Sequence, residues 1–276
     1  RVDSGPVGGP GGLVVPDVFF VRPQESWRMP WDASSATRGR MAGQGRRFED
    51  FCCVRRITRD ERGRVSGKEE LLDAPVLWTY GYDQAGRLAR AMRNGRLVEK
   101  YSYDEKARRA TDWSVLCRRG ERRYRYADDD RLLEAGSVRM RYDARGALAE
   151  KSSPEESLLF EHDRGRVSAL YLPDGRRIEY VYDENGCRVE RRVNGETHWR
   201  YEWLDQMRLG KVRDVQRGVV VSLEYGADEE GNASRLPLHM LVEAGNGAPT
   251  RTFDLVCDLR GSLRGVRNET GALVKV

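Results

Sequence analysis

The stretch that most constrains this chain is Tyr80-Gly81-Tyr82-Asp83-Gln84-Ala85-Gly86-Arg87-Leu88, because weaker copies of it recur along the sequence. Trp78, Tyr80 and Tyr82 alternate with Thr79 and Gly81. A period of two places the three rings on one face of a strand. Asp83 suits the opening of a turn, since a short carboxylate accepts hydrogen bonds from backbone amides just ahead of it. Gly86 suits the close, where the chain needs φ > 0. Arg87 and Leu88 begin the return strand.

The copies vary in quality. Tyr101-Ser102-Tyr103-Asp104 has Ala107 in the glycine place, and Tyr124-Arg125-Tyr126 leads into Asp128-Asp129-Asp130-Arg131-Leu132. Tyr142-Asp143 with Gly146 restores the pattern, and His162-Asp163 with Gly165 has a turn one residue shorter. Tyr180-Val181-Tyr182-Asp183 with Gly186 is the second clean copy, and Tyr201-Glu202-Trp203-Leu204-Asp205 is degenerate. Asp60 to Val65 keeps the turn without the tyrosines. Between copies, Asn94-Gly95, Asp174-Gly175 and Asn194-Gly195 are dipeptides favoured in two-residue hairpin turns. The expected fold is all-β: an antiparallel β-meander of hairpins curling into an open or partial shell. No unit can bury its own aromatic face, so neighbours must stack. Tyr80, Tyr82, Tyr103, Tyr126, Tyr142, Tyr180, Tyr182, Tyr201 and Trp203 are expected on one face with neighbouring rings in contact.

Repeated Tyr-x-Tyr-Asp-x-x-Gly-Arg-Leu resembles the YD repeats of the RHS family, which includes bacterial RHS polymorphic toxins, the B and C components of insecticidal Tc toxins, and animal teneurins. The repeats carry this resemblance over about residues 54–205. A second stretch, Asp258-Leu259-Arg260-Gly261-Ser262-Leu263-Arg264-Gly265-Val266 followed by Thr270-Gly271, is similar to the opening of the RHS-associated core. The resemblance implies a sheet wound into a hollow shell. In toxins of the family that shell encloses a variable C-terminal effector, released by self-cleavage just beyond the core. The cleavage aspartates are expected downstream of the stretch ending at Val276. The partners implied are a polypeptide cargo or a neighbouring shell protein, and the setting is secreted or on the bacterial cell surface.

Three regions are expected: an irregular docking or plug segment over 1–50, the repeat sheet over 51–205, and continuing strands with the start of the core over 206–276. The first is rich in Gly and Pro yet carries Phe19, Phe20, Trp27 and Trp31, too much aromatic surface for a disordered leader. No signal peptide is visible in it. No apolar run approaches the ~20 residues of a membrane-spanning helix. Val219–Tyr225 and Leu236–Val242 read as strands that pair across a loop, and Ser153-Pro154 as one helical turn. Charged residues make up 34% of the chain, which fits a sheet with one wet face. Only six of the 49 basic residues are lysine, a bias attributable to a GC-rich coding genome.

The search for chemistry is mostly negative. Cys52, Cys53, Cys117, Cys187 and Cys257 form neither a CxxC nor a Cys/His cluster, and an odd count does not make a full disulfide framework. No metal, cofactor or catalytic residue is therefore assigned. His162 takes a repeat tyrosine's place and reads as a packed ring. No nucleophile elbow or phosphate loop occurs. Asp83, Asp143, Asp163 and Asp183 are accounted for as turn residues. The Arg118–Tyr126 run could stack on nucleic acid, but its tyrosines are already claimed by the repeat. The expected function is a non-catalytic scaffold that encloses or presents a toxin or other polypeptide. The alternatives are a surface adhesion module binding glycan or protein, with the rings as a carbohydrate platform, and, more weakly, a glycan-acting enzyme.

Overall fold

A computed structural model describes residues 51–227, 233–245, 247–259 and 261–275, so the reading of 1–50 as a plug lies outside the described residues. Among the described residues twenty-one strands follow one another. The first seven are β1 Val54–Arg59, β2 Val65–Leu71, β3 Pro75–Tyr82, β4 Leu88–Arg93, β5 Arg96–Tyr103, β6 Arg109–Ser114 and β7 Arg119–Tyr126. Next come β8 Leu132–Ala135, β9 Val138–Tyr142, β10 Leu148–Ser152, β11 Ser157–Asp163, β12 Arg166–Tyr171, β13 Arg177–Tyr182 and β14 Arg188–Val193. The last are β15 Glu196–Trp203, β16 Leu209–Asp214, β17 Val219–Ala227, β18 Ala233–Glu243, β19 Arg251–Cys257, β20 Leu263–Arg267 and β21 Leu273–Lys275. Each strand pairs antiparallel with the strands before and after it, as in β2 with β3, β13 with β14, and β19 with β20. Among the described residues β1 and β21 each have one strand partner, so the meander is an open shell and not a closed barrel.

The repeat builds its own curvature. At the turn after β3 the pairing slips by one residue between Gly81 and Tyr82. The same slip recurs before Tyr103, Tyr126, Tyr182 and Trp203. An extra residue on one strand bends it and strengthens the local right-handed twist. The β17–β18 pair expected across 226–235 is present and is long. Pro237 sits inside β18 opposite Tyr225, next to a register slip, where a missing N–H is tolerated. The one helical turn expected at Ser153 is absent. Ser153 instead closes the β10–β11 hairpin, its Oγ accepting from the amides of Glu155 and Glu156 at 3.2 and 3.1 Å.

The largest fully buried side chains are concentrated late in the chain: Val212, Val221, Met240, Phe253, Leu255, Val256 and Val266, joined by Cys53. Residues 51–53 reach this core from the other end of the meander. Beyond its last β18 pair at Asp254, the end of β19 takes residues 51–53 as its neighbour instead. Cys52 pairs with Cys257 in a parallel bridge, and the Cys53 amide donates to the Cys257 carbonyl at 2.9 Å. The Leu71 amide donates to the Cys53 carbonyl at 2.7 Å, and Arg267 reaches the Leu72 carbonyl at 3.4 Å. The first and last parts of the described sheet therefore meet along one seam.

Candidate functional site

The repeated turn keeps one backbone pattern in most copies. The Asp83 amide donates to the Arg87 carbonyl at 2.9 Å, and the Gly86 amide donates to the Asp83 carbonyl at 3.0 Å. Gly86 has φ +82°, the left-handed conformation that a side chain resists. Ala107, in the corresponding place of the next copy, is held at φ 61° without glycine's freedom. Asp83 Oδ1 accepts from the Arg87 amide at 2.8 Å, and Oδ2 accepts from Arg87 Nε at 2.7 Å. Asp60 with Arg64, and Asp104 with Arg108, repeat both contacts. The backbone hydrogen bond from Arg87, with its guanidinium, holds the Asp83 carboxyl below its ordinary value. The Arg64 side chain does the same for Asp60.

The same arginine then covers the next repeat. Arg64 lies over the Tyr82 ring at 4.3 Å, Arg87 over Tyr103 at 4.7 Å, Arg108 over Tyr126 at 4.7 Å and Arg131 over Tyr142 at 5.3 Å. Arg166 over Tyr182 and Arg208 over Tyr225 continue the series. The residue after each arginine offers its carbonyl to the hydroxyl of that ring. Tyr82 donates to Val65 O at 2.6 Å, Tyr103 to Leu88 O at 2.8 Å and Tyr182 to Val167 O at 2.9 Å. Tyr126, Tyr142 and Tyr225 donate likewise to Arg109, Leu132 and Leu209. The Asp60 and Asp83 turns, and the Asp104 turn with Ala107 in the glycine place, thus fix a guanidinium that staples the second tyrosine of the next copy; Arg131, Arg166 and Arg208 do the same from turns of other makeup. The expected ring-on-ring ladder is replaced by this arrangement. Trp78 and Tyr80 do stack, at 6.4 Å, but the recurring contact is guanidinium on ring. The reason is register: successive second-place rings lie two strands apart, and the intervening arginine fills the gap.

Two of the repeat turns lack the arginine, and in both cases the tyrosine it would cover is replaced as well. Ala147 stands where the turn arginine belongs after Gly146, and the following copy has His162 for its second tyrosine. Cys187 stands in that place after Gly186, and Trp203 follows; its Nε1 still donates to Arg188 O at 2.8 Å. Asp143 Oδ1 accepts from the Ala147 amide and Asp183 Oδ1 from the Cys187 amide, both at 2.8 Å. Tyr180 is covered by Arg188 at 4.2 Å.

Other expected residues take different places. Arg164 and Gly165, at φ 48° and 77°, form a two-residue turn, so Asp163 ends β11 opposite Arg166. Asp174-Gly175, expected as a two-residue turn, belongs to the longer kind: Gly175 donates to Leu172 O, and only Gly175 of the pair has positive φ. Asp258, Gly261 and Ser262 of the core-like stretch repeat the turn geometry, with Ser262 N on Asp258 Oδ1 at 3.0 Å and Gly261 at φ 78°. Gly271, at φ 80°, closes a similar turn opened by Asn268. Arg264 approaches Glu70 at 4.0 Å across the seam. The staple on Tyr225 runs beyond residue 205, and Arg208-Leu209 after the Asp205 turn was the signal for it.

Chemistry-bearing groups are drawn into structural contacts. Arg122 of the basic run holds buried Asp112 through Nε and Nη2 at 3.1 and 2.8 Å, and Tyr124 donates to Asp112 at 2.8 Å. Arg125 pairs with Glu134 at 2.8 Å. Tyr101 donates to Glu99 at 2.7 Å, and burial first, then that carboxylate, pushes the Tyr101 phenol up. His239 Nδ1 lies 3.0 Å from Asp254 Oδ1 with Phe51 edge-on to its ring at 5.1 Å. Among the described residues no group of three or more His, Cys, Asp or Glu side chains is arranged to hold a metal. No helix among them is long and apolar enough to cross a membrane.

No curated protein matches the sequence. Similar solved structures include a Tc holotoxin pore of Photorhabdus luminescens, at 13% identity and TM-score 0.46 over 78% of this chain and 14% of that chain. A TcdB2–TccC3–TEV structure is 12% identical at TM-score 0.32, over 77% of this chain and 11% of that one. TcdB2–TccC3 without its hypervariable C-terminal region is 10% identical at TM-score 0.37, over 77% and 15%. The chain therefore spans about a seventh or less of the length of these structures. Over residues 54–276, nearly the whole described sheet and its turn-and-ring unit, the sequence matches the family described as Teneurin YD-shell, and the chain belongs to that family.

Proposed function

We propose that this chain is a non-catalytic scaffold, a shell or part of one, that encloses or presents a polypeptide outside the cytoplasm. The observation that carries this reading is the staple. The residue types that distinguish the sequence, Asp, Gly, Arg and Tyr at fixed spacing, are consumed in joining one repeat to the next. Carboxylates that could serve as acid or base accept backbone amides instead. Ring faces that a sugar would stack on carry guanidinium groups, which supports scaffold over carbohydrate platform. The partners of this reading are a polypeptide cargo or a neighbouring shell protein.

The test appends a protease-sensitive, unfolded reporter after Val276 and follows its digestion. A reporter cut far more slowly in the fusion than when mixed with the separate chain supports enclosure. Equal cutting rates overturn enclosure, and tight selective binding on a glycan array, lost in Tyr103→Ala, would favour adhesion instead.

A further inference from the structure

We propose that Cys52 and Cys257 are a disulfide site that locks the seam between the first and last parts of the sheet, closed by exchange with a small disulfide such as oxidised glutathione. The parallel bridge sets the two residues opposite each other. Neighbouring strands lie ~4.8 Å apart, within the ~4.4–6.8 Å range of Cα separations that a disulfide spans. Residues opposed across a sheet present their side chains to the same face. Both are buried free thiols, at 6% exposure each. The Cys53–Cys257 and Cys53–Leu71 backbone hydrogen bonds pin the segment in this register.

The remaining cysteines are excluded by place. Cys53 follows Cys52 in an extended segment and so faces the other way, toward the charges of Glu70 and Arg264. Cys117 is exposed and Cys187 stands in a repeat turn. The even spacing of Cys117, Cys187 and Cys257 therefore does not gather them, whereas two cysteines far apart in sequence are brought together.

The chemistry balances with one oxidant. The Cys52 thiolate attacks a sulfur of glutathione disulfide, forming a mixed disulfide and expelling one glutathione thiolate, which takes up the Cys52 proton. The Cys257 thiolate then attacks the Cys52 sulfur, expelling the second glutathione. Two protein thiols are oxidised and one glutathione disulfide is reduced to two thiols. Burial pushes both thiols up, and Cys257, with the Asp258 charge and the two other thiols added, to about 12, so Cys257 is the slower of the two to open the exchange. The crosslink closes a loop over nearly the whole described sheet, and its stabilisation falls on the unfolded chain.

The experiment uses the full chain, incubated folded, and separately refolded, with glutathione disulfide or with dithiothreitol. Free thiols are alkylated in denaturant and the peptides mapped by mass. The expected result is one linked peptide pair carrying Cys52 and Cys257, with Cys53, Cys117 and Cys187 alkylated. The oxidised protein should melt ~10 °C higher than the reduced one, a shift that Cys52→Ser abolishes. Five alkylated cysteines in both oxidising treatments overturn the proposal, as does a link that uses Cys53, Cys117 or Cys187. If Cys52→Ser does not fold, the wild-type peptide map decides alone.

Discussion

The strands β3–β15 and the strands β16–β20 belong to one sheet but are held by different means. In the first region the buried apolar side chains are mainly small or scattered: Ala91, Val98, Ala135, Leu158, Ala169 and Ile178, with Tyr201. Cohesion there comes from directional contacts, an aspartate fixing an arginine and the arginine covering a tyrosine whose hydroxyl finds a carbonyl. In the second region Met240, Phe253, Leu255, Val256 and Val266 are all but fully buried, as is Cys53, and most of the burial is apolar. Directional staples can be added copy by copy, so the repeat can lengthen without limit. An apolar core cannot, and it sits where the two ends of the meander meet.

Variants should separate the two regions. The largest effect is expected for Phe253→Ala, about 3–5 kcal/mol, since the ring is 1% exposed and leaves a cavity. Urea unfolding measures it, and hydrogen exchange should show protection lost throughout the sheet. A loss confined to β18–β20 would mean that the core does not anchor the repeats. Next is Gly86→Val, at about 2 kcal/mol, because a β-branched residue resists φ near +80°. Exchange should rise in β3 and β4 and leave β17–β20 unchanged. Tyr182→Phe should cost about 1 kcal/mol for the hydrogen bond to Val167 O. Combined with Arg166→Ala it should be non-additive, since both act on one ring. Strict additivity of that pair would dissolve the staple.

The strand-and-turn order was legible because glycine and aspartate report on the backbone itself. Gly86, Gly146 and Gly186 mark positive φ directly. What holds one copy to the next was less legible. The sequence shows tyrosines at a period of two, and burial of rings against rings is the simplest consequence. Arginine was read as base composition, yet lysine could not replace it here. A planar guanidinium lies face-on over a ring while its edge donates to a carboxylate, whereas an ammonium has no flat face to lay on the ring. The paired losses at Ala147 with His162, and at Cys187 with Trp203, were the available signal. Turn types were legible only in part: Asp174-Gly175 looks like a hairpin dipeptide, but Leu172 ahead of it opens the longer turn. The seam was invisible, because nothing local joins Cys52 to Cys257.

The smallest effect expected is a difference in acid sensitivity. Asp60, Asp83, Asp129, Asp174 and Asp205 are all held below the ordinary value of 3.8 by hydrogen bonds from the arginines and amides of their turns. Asp104 is also held low; burial opposes the shift, but the Arg108 hydrogen bonds outweigh it. All six precede β16. A carboxyl whose folded value lies below its unfolded one contributes stability above the unfolded value. That contribution is lost as pH falls through the folded value. Each group keeps part of its surface in water, so the individual contributions are small and salt-sensitive. Their sum, however, acts on one region only. As pH falls below about 4, amides in β3–β15 should lose protection before those in β16–β20, after correction for the intrinsic exchange rate. Asp83→Asn should reproduce a local part of this loss at neutral pH and erase the acid dependence in β3 and β4. Simultaneous loosening of both regions would show that the turn carboxylates do not distinguish them, and the difference between staple and core would then rest on packing alone.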